Sequence, residues 1–146
     1  DGNNMANSLI VGGLKTGMQV SVACPEGYRP DSRVLDFANN YAGFSMFTEP
    51  MEAASGADVI FTDVWASMGQ EGEAEERKKI FGGKYQVNKE LLAAANSGCM
   101  VQHCLPAHRG EEITADVFES HADEIFDEAE NRLHAQKAVM VTLMEK

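Results

Sequence analysis

Asp58-Val59-Ile60-Phe61-Thr62-Asp63-Val64-Trp65 is an apolar run with a carboxylate near each end. Gly56-Ala57 leads into it, and Ala66-Ser67-Met68-Gly69-Gln70-Glu71-Gly72 leads out. Aliphatic and aromatic residues packed into so short a run predict a strand. A strand apolar on both faces fits the centre of a parallel sheet covered by helices. Working outward, strands are expected over residues 18–24, 44–47, 100–103 and 124–127. Helices are expected over residues 4–16, 30–41, 52–55, 73–81, 88–95, 114–119 and 129–144, from apolar spacing, Asn88 and Thr114 as caps, and glycine stops. Strand and helix alternate along the whole chain. The expected fold is therefore α/β: a doubly wound, mostly parallel sheet of four to five strands with helices on both faces. It is Rossmann-like but lacks the dinucleotide fingerprint, because no Gly-x-Gly-x-x-Gly follows a strand.

The 146 residues are enough for one domain with a real core. Twelve Lys and Arg against 23 Asp and Glu give a formal charge of −11, which argues against a nucleic-acid backbone as the main partner. The three cysteines form no disulfide framework and point to a reducing, cytoplasmic setting. No run approaches the roughly eighteen apolar residues of a membrane span. Asp1-Gly2-Asn3-Asn4 carries no signal-peptide character and reads as a turn that follows a strand.

In a doubly wound sheet, ligands bind beyond the carboxyl ends of the strands. The chemically unusual residues fall at those ends. Asn4 lies in the opening strand-to-helix turn, where it either meets an anion or caps the helix. Asp63 can pair with an ammonium group, Ser67 offers a hydroxyl, and the backbone near Met68 can take a carboxylate. That set suits an α-amino acid; the plain alternative is a capped loop over Trp65. His103-Cys104-Leu105-Pro106 admits three readings: a nucleophile, a weak metal set with His108, or a buried strand end. Arg132, expected near the start of the last helix, either reaches a phosphate or carboxylate in the crevice or pairs with Glu128 and Glu130. The run from Glu71 to Lys79 reads as a solvated charged face.

Four segments together resemble the second domain of the ornithine carbamoyltransferase family. They are Asp1-Gly2-Asn3-Asn4, Asp63 through Gly69, His103 through Pro106, and Ala129-Glu130-Asn131-Arg132, in the family's order and spacing. The resemblance implies carbamoylation of the δ-amine of L-ornithine by carbamoyl phosphate, giving L-citrulline and phosphate. It implies a role in arginine biosynthesis and a cytoplasmic homotrimer. It also implies that Asn4, Asp63, Ser67, Met68, Cys104, Leu105 and Arg132 bind substrate, with Asp63 and Cys104 acting on the reacting amine. No cofactor or metal is implied. The family's amino-terminal carbamoyl phosphate domain has no counterpart in this sequence, nor has the strand expected before Asp1. Residues 1–146 are thus expected to be the ornithine-binding half, inactive alone. Two other classes remain open: a carbamoyltransferase for another amine such as putrescine, and a non-catalytic amino-acid-binding α/β domain.

Overall fold

The computed structural model describes residues 1–67, 69 and 71–145. Helix α1 (Asn4–Lys15) starts where the Asn3 side chain accepts the Ala6 N–H at 3.0 Å, an N-cap that satisfies one orphan donor of the first turn. Strand β1 (Val20–Ala23) follows, then a 3-10 turn at Glu26–Tyr28 and helix α2 (Ser32–Ala38), capped by Asp31. Strand β2 (Phe44–Phe47) leads to the short helix α3 (Pro50–Ala54), whose proline occupies the first turn, where no N–H is needed. Strand β3 (Val59–Thr62) comes next. After it lie helices α4 (Ala74–Phe81) and α5 (Lys89–Ala94), strand β4 (Met100–His103), helix α6 (Ala115–Ser120) and the long helix α7 (Ala122–Met144).

Both strand pairs are parallel. β1 lies beside β2 with Val20 opposite Phe44 and Ala23 opposite Phe47. β3 lies beside β4 with Val59 opposite Met100 and Thr62 opposite His103. Parallel neighbours need a crossover, and α2 supplies the first while α4 and α5 supply the second. Ile10, Leu14 and Ala38 pack α1 and α2 onto Val20, Val22 and Phe44. The larger core gathers Ile60 and Val101 from β3 and β4 with Leu91, Ile113, Phe118 and Ile125. The α/β class and the parallel strands agree with the sequence reading.

Three features differ from it. The single sheet of four to five strands is, among the described residues, two sheets of two strands each. The edges of β1 and β3 face each other across a cleft of about 350 Å³, lined by residues such as Ile10, Ser21, Ala23, Ile60, Thr62 and Asp1, so neither edge bonds the other.

The second difference is at residues 124–127, expected as a strand, which belong to α7. Ile125 is fully buried while the next residue, Phe126, is half exposed, a contrast that four residues cannot assign to period two or period 3.6. Glu124 accepts the Val101 N–H at 3.0 Å, and Glu128, one helical turn on, accepts the N–H of His103. Carboxylates on α7 thus satisfy the outer edge of β4 where another strand would pair. The third difference is α4, which is not wholly a solvated face: Arg77 and Phe81 are buried.

Two adjacent glycines in α1 give a test of this packing. A Cβ on Gly13 would lie 2.8 Å from Val20 Cγ2, whereas one on Gly12 meets nothing within 4 Å. Val20 is stiff about χ1 and has little room to yield. Gly13→Ala is expected to destabilise the protein by about 1–3 kcal/mol. Gly12→Ala is expected to stabilise it by about 0.5–1 kcal/mol. Opposite shifts in thermal unfolding of the full-length protein check the pair.

Candidate active site at the carboxyl ends of the second sheet

Asp63 and Cys104 each follow the last paired residue of their strands. The Thr62–His103 register therefore sets them side by side. The Cys104 thiol donates to the Asp63 carboxylate. Burial pushes that thiol up to about 12, with the Asp63 bond and the negative charges of Asp63 and Glu128 adding to the effect. A thiol held so high is protonated at neutral pH, so Cys104 is not the thiolate that nucleophilic catalysis requires.

Asp63 is held from two sides. Asn3 Nδ2 donates to its Oδ2 at 2.6 Å, and the Val64 N–H donates to its Oδ1 at 2.7 Å. Asn3 thus caps α1 and fixes the carboxylate together. Asn4, one residue on, begins α1 with an exposed side chain. The opening turn is tightly fitted. Gly2 donates its N–H to the Tyr28 carbonyl at 2.7 Å, and a Cβ on Gly2 would fall 2.0 Å from the Pro30 nitrogen. Arg77 ties the same turn to the segment after β3. It donates to Asp1 Oδ2 at 2.7 Å and to the Trp65 carbonyl at 3.1 Å, and lies over the Tyr28 ring at 5.0 Å. Trp65 in turn stacks on Phe81 at 6.1 Å.

Leu105 is the one non-glycine residue of positive φ among those described, at 51°, and a cis peptide joins it to Pro106. A left-handed leucine costs roughly 1–2 kcal/mol, so its surroundings must hold it there. His103 does this: its Nδ1 accepts the Leu105 N–H at 2.9 Å. With both ring nitrogens engaged, His103 is no free ligand for the metal set with Cys104 and His108. A different trio, His108, Glu111 and Glu112, brings ligand atoms within 4.8 Å of one another. Lys78 already neutralises Glu111 there at 2.8 Å.

The structure therefore brings together Asp63, Cys104 and the half-buried Leu105. Ser67, also half-buried, is four residues beyond Asp63 in the same loop; Met68 lies outside the described residues. Arg132 is exposed and sits in the third turn of α7 rather than at its start, with its charge felt by Glu128. Sequence reasoning missed Asn3, Arg77, Glu112 and Glu128. Only Asn3 carried a usable signal, since the residue immediately before a helix is the usual cap.

A model of the aspartate/ornithine carbamoyltransferase Asp/Orn binding domain matches residues 1–143. The chain belongs to the aspartate/ornithine carbamoyltransferase family. It is 56% identical over 149 aligned positions to the ornithine carbamoyltransferase of Thermococcus kodakarensis, covering 99% of this chain and 47% of that protein. The solved ornithine carbamoyltransferase from Pyrococcus furiosus superposes with a TM-score of 0.87 at 56% identity, over 96% of this chain and 46% of that one. The anabolic enzyme from Campylobacter jejuni gives a TM-score of 0.90 at 38% identity, over 98% and 48%. The chain spans about half the length of the curated relatives it matches. Among the described residues no helix is long and apolar enough to cross a membrane.

Cys104 is expected to alkylate slowly with iodoacetamide at pH 8. Asp63→Asn removes a negative charge and an acceptor from its side, so the thiol pKa falls and alkylation at that pH accelerates. Peptide mapping by mass spectrometry, which separates Cys104 from Cys24 and Cys99, reads both rates. Fast alkylation of Cys104 in the unaltered protein would contradict a thiol held protonated by its surroundings.

Proposed function

We propose that this chain is the ornithine-binding half of an ornithine carbamoyltransferase. In this reading the whole protein joins carbamoyl phosphate to the δ-amine of L-ornithine, giving L-citrulline and phosphate. The observation that carries it is the Asp63–Cys104–Leu105 cluster at the carboxyl end of the β3–β4 pair. The cluster offers a carboxylate, a neutral thiol and a backbone carbonyl, three groups that orient an amine without reacting with it. Asn4, Ser67, Met68 and Arg132 complete the proposed substrate contacts, the first three to the amino acid and Arg132 to carbamoyl phosphate.

The reaction is attack of the neutral δ-amine on the carbamoyl carbon. A C–N bond forms, the C–O bond to phosphate breaks, and the proton released by the amine leaves with phosphate. Asp63 holds an ammonium group of the amino acid by charge. Cys104 and the Leu105 carbonyl fix the direction of the amine lone pair. Carbamoyl phosphate and the charge that develops on it fall to a second domain of the full-length protein, with Arg132 reaching toward it. The cleft between β1 and β3 supports a further strand joined ahead of Asp1. Among the described residues both facing edges are unpaired, the walls are largely apolar, and Asp1 lines the cleft. The same reading makes the full-length protein a cytoplasmic homotrimer of arginine biosynthesis without a cofactor.

The test is citrulline formation by the full-length protein. L-ornithine and carbamoyl phosphate are expected to give citrulline, while putrescine is expected to be a poor substrate. Breaking a buried charge pair on one side costs roughly 3–5 kcal/mol. Asp63→Asn should therefore lower kcat/KM for ornithine by about 10²–10⁴-fold, with KM for carbamoyl phosphate unchanged. Preference for putrescine would move the protein to another amine. Ornithine binding without turnover would leave an amino-acid-binding domain.

A further inference from the structure

Glu112 and His103 are both fully buried and nine residues apart. Glu112 Oε1 lies 2.9 Å from His103 Nε2 and accepts the His108 N–H at 2.6 Å. On the other side of the imidazole, Nδ1 accepts the Leu105 N–H at 2.9 Å. An Nδ1 that accepts a hydrogen bond carries no proton, so the proton of the ring is on Nε2 and points at Glu112. The result is a directed relay: Leu105 N–H to His103, and His103 N–H to Glu112.

The relay has a rigid root. The Glu112 carbonyl accepts the Val87 N–H at 2.8 Å, and its neighbour Ile113 is fully buried and bridged to Val87. Its far end is Leu105, whose left-handed backbone no leucine adopts without support. Cys104 lies between His103 and Leu105, so the segment that carries the thiol and the Leu105 carbonyl is pinned at both sides.

We propose that Glu112 is a positioning residue for carbamoyl transfer. It fixes the tautomer and tilt of His103, and through His103 it sets where Cys104 and the Leu105 carbonyl meet the incoming amine. The proposal rests on the ornithine reading above. Without Glu112, the imidazole loses the acceptor that selects its Nε2–H form. The Nδ1–H form would turn a donor toward the Leu105 N–H, and the turn would shift. An amine placed for attack is sensitive to shifts of this size, since a displacement near 1 Å is worth about a hundredfold in rate.

The experiment compares Glu112→Leu and Glu112→Gln in the full-length protein. Leucine removes the acceptor; glutamine keeps a carbonyl oxygen for the same two N–H groups. Glu112→Leu is expected to lose about ten- to a hundredfold in kcat/KM for ornithine, with KM for carbamoyl phosphate unchanged. Glu112→Gln is expected to restore most of the loss. The imidazole ¹⁵N shifts of His103 in the unaltered protein are expected to report the Nε2–H tautomer. That measurement decides the matter even where Glu112→Leu fails to fold. An Nδ1–H tautomer would overturn the proposal, as would a folded Glu112→Leu with unchanged ornithine kinetics. An unaltered protein that makes no citrulline would instead overturn the ornithine reading, and the positioning role with it.

Discussion

The parallel pairing of β3 with β4 is the constraint on which the site depends. Thr62 opposite His103 means that the next residue of each strand, Asp63 and Cys104, leaves the sheet at the same height. A slip by one residue would invert every side chain of one strand and turn either Ile60 or Val101 out of the core. Burial of those two residues therefore fixes the register, and the register fixes the pair. The carboxylates of α7 reinforce it from outside. Glu124 and Glu128 take the outward N–H groups of Val101 and His103, so the edge of β4 is closed by side chains rather than by another strand.

The same economy runs through the polar groups around the site. Asn3 serves α1 as a cap and Asp63 as a donor. Arg77 joins the opening turn to the Trp65 backbone while covering Tyr28. His103 is bonded at both nitrogens, and Leu105 is held by it. Each of these groups fixes a neighbour in or beside the candidate site. A site assembled from ends of elements needs such support, because loop residues have little packing of their own.

Much of this was legible in the sequence. The β3 run, the short β4 and the location of Asp63 and Cys104 just beyond them followed from apolar runs and the rule that parallel sheets bind at their carboxyl ends. What escaped was long-range or ambiguous. Residues 124–127 place two adjacent apolar residues between carboxylates, a pattern that a short strand and a helical turn both carry, and only the tertiary setting, with Ile125 inward and Glu124 on the β4 edge, makes them helix. Arg77 sits in a charged run whose burial no local pattern reveals, because its partners Asp1 and Trp65 are distant in sequence. Glu112 stands beside Glu111 in a polar segment with no apolar pattern, yet it lies in the core against His103. The separation into two sheets is likewise a matter of which edges meet, and strand patterns do not encode edges.

The central claim is that the β3–β4 register builds an amine-holding site. Its most direct test is a crystal structure of the full-length protein with L-ornithine. The account predicts a nitrogen of ornithine within about 4 Å of the Asp63 carboxylate and the δ-nitrogen against Cys104 Sγ and the Leu105 carbonyl. Ornithine bound elsewhere, with Cys104 still bonded to Asp63 and Asp63 to Asn3 and Val64, would contradict it.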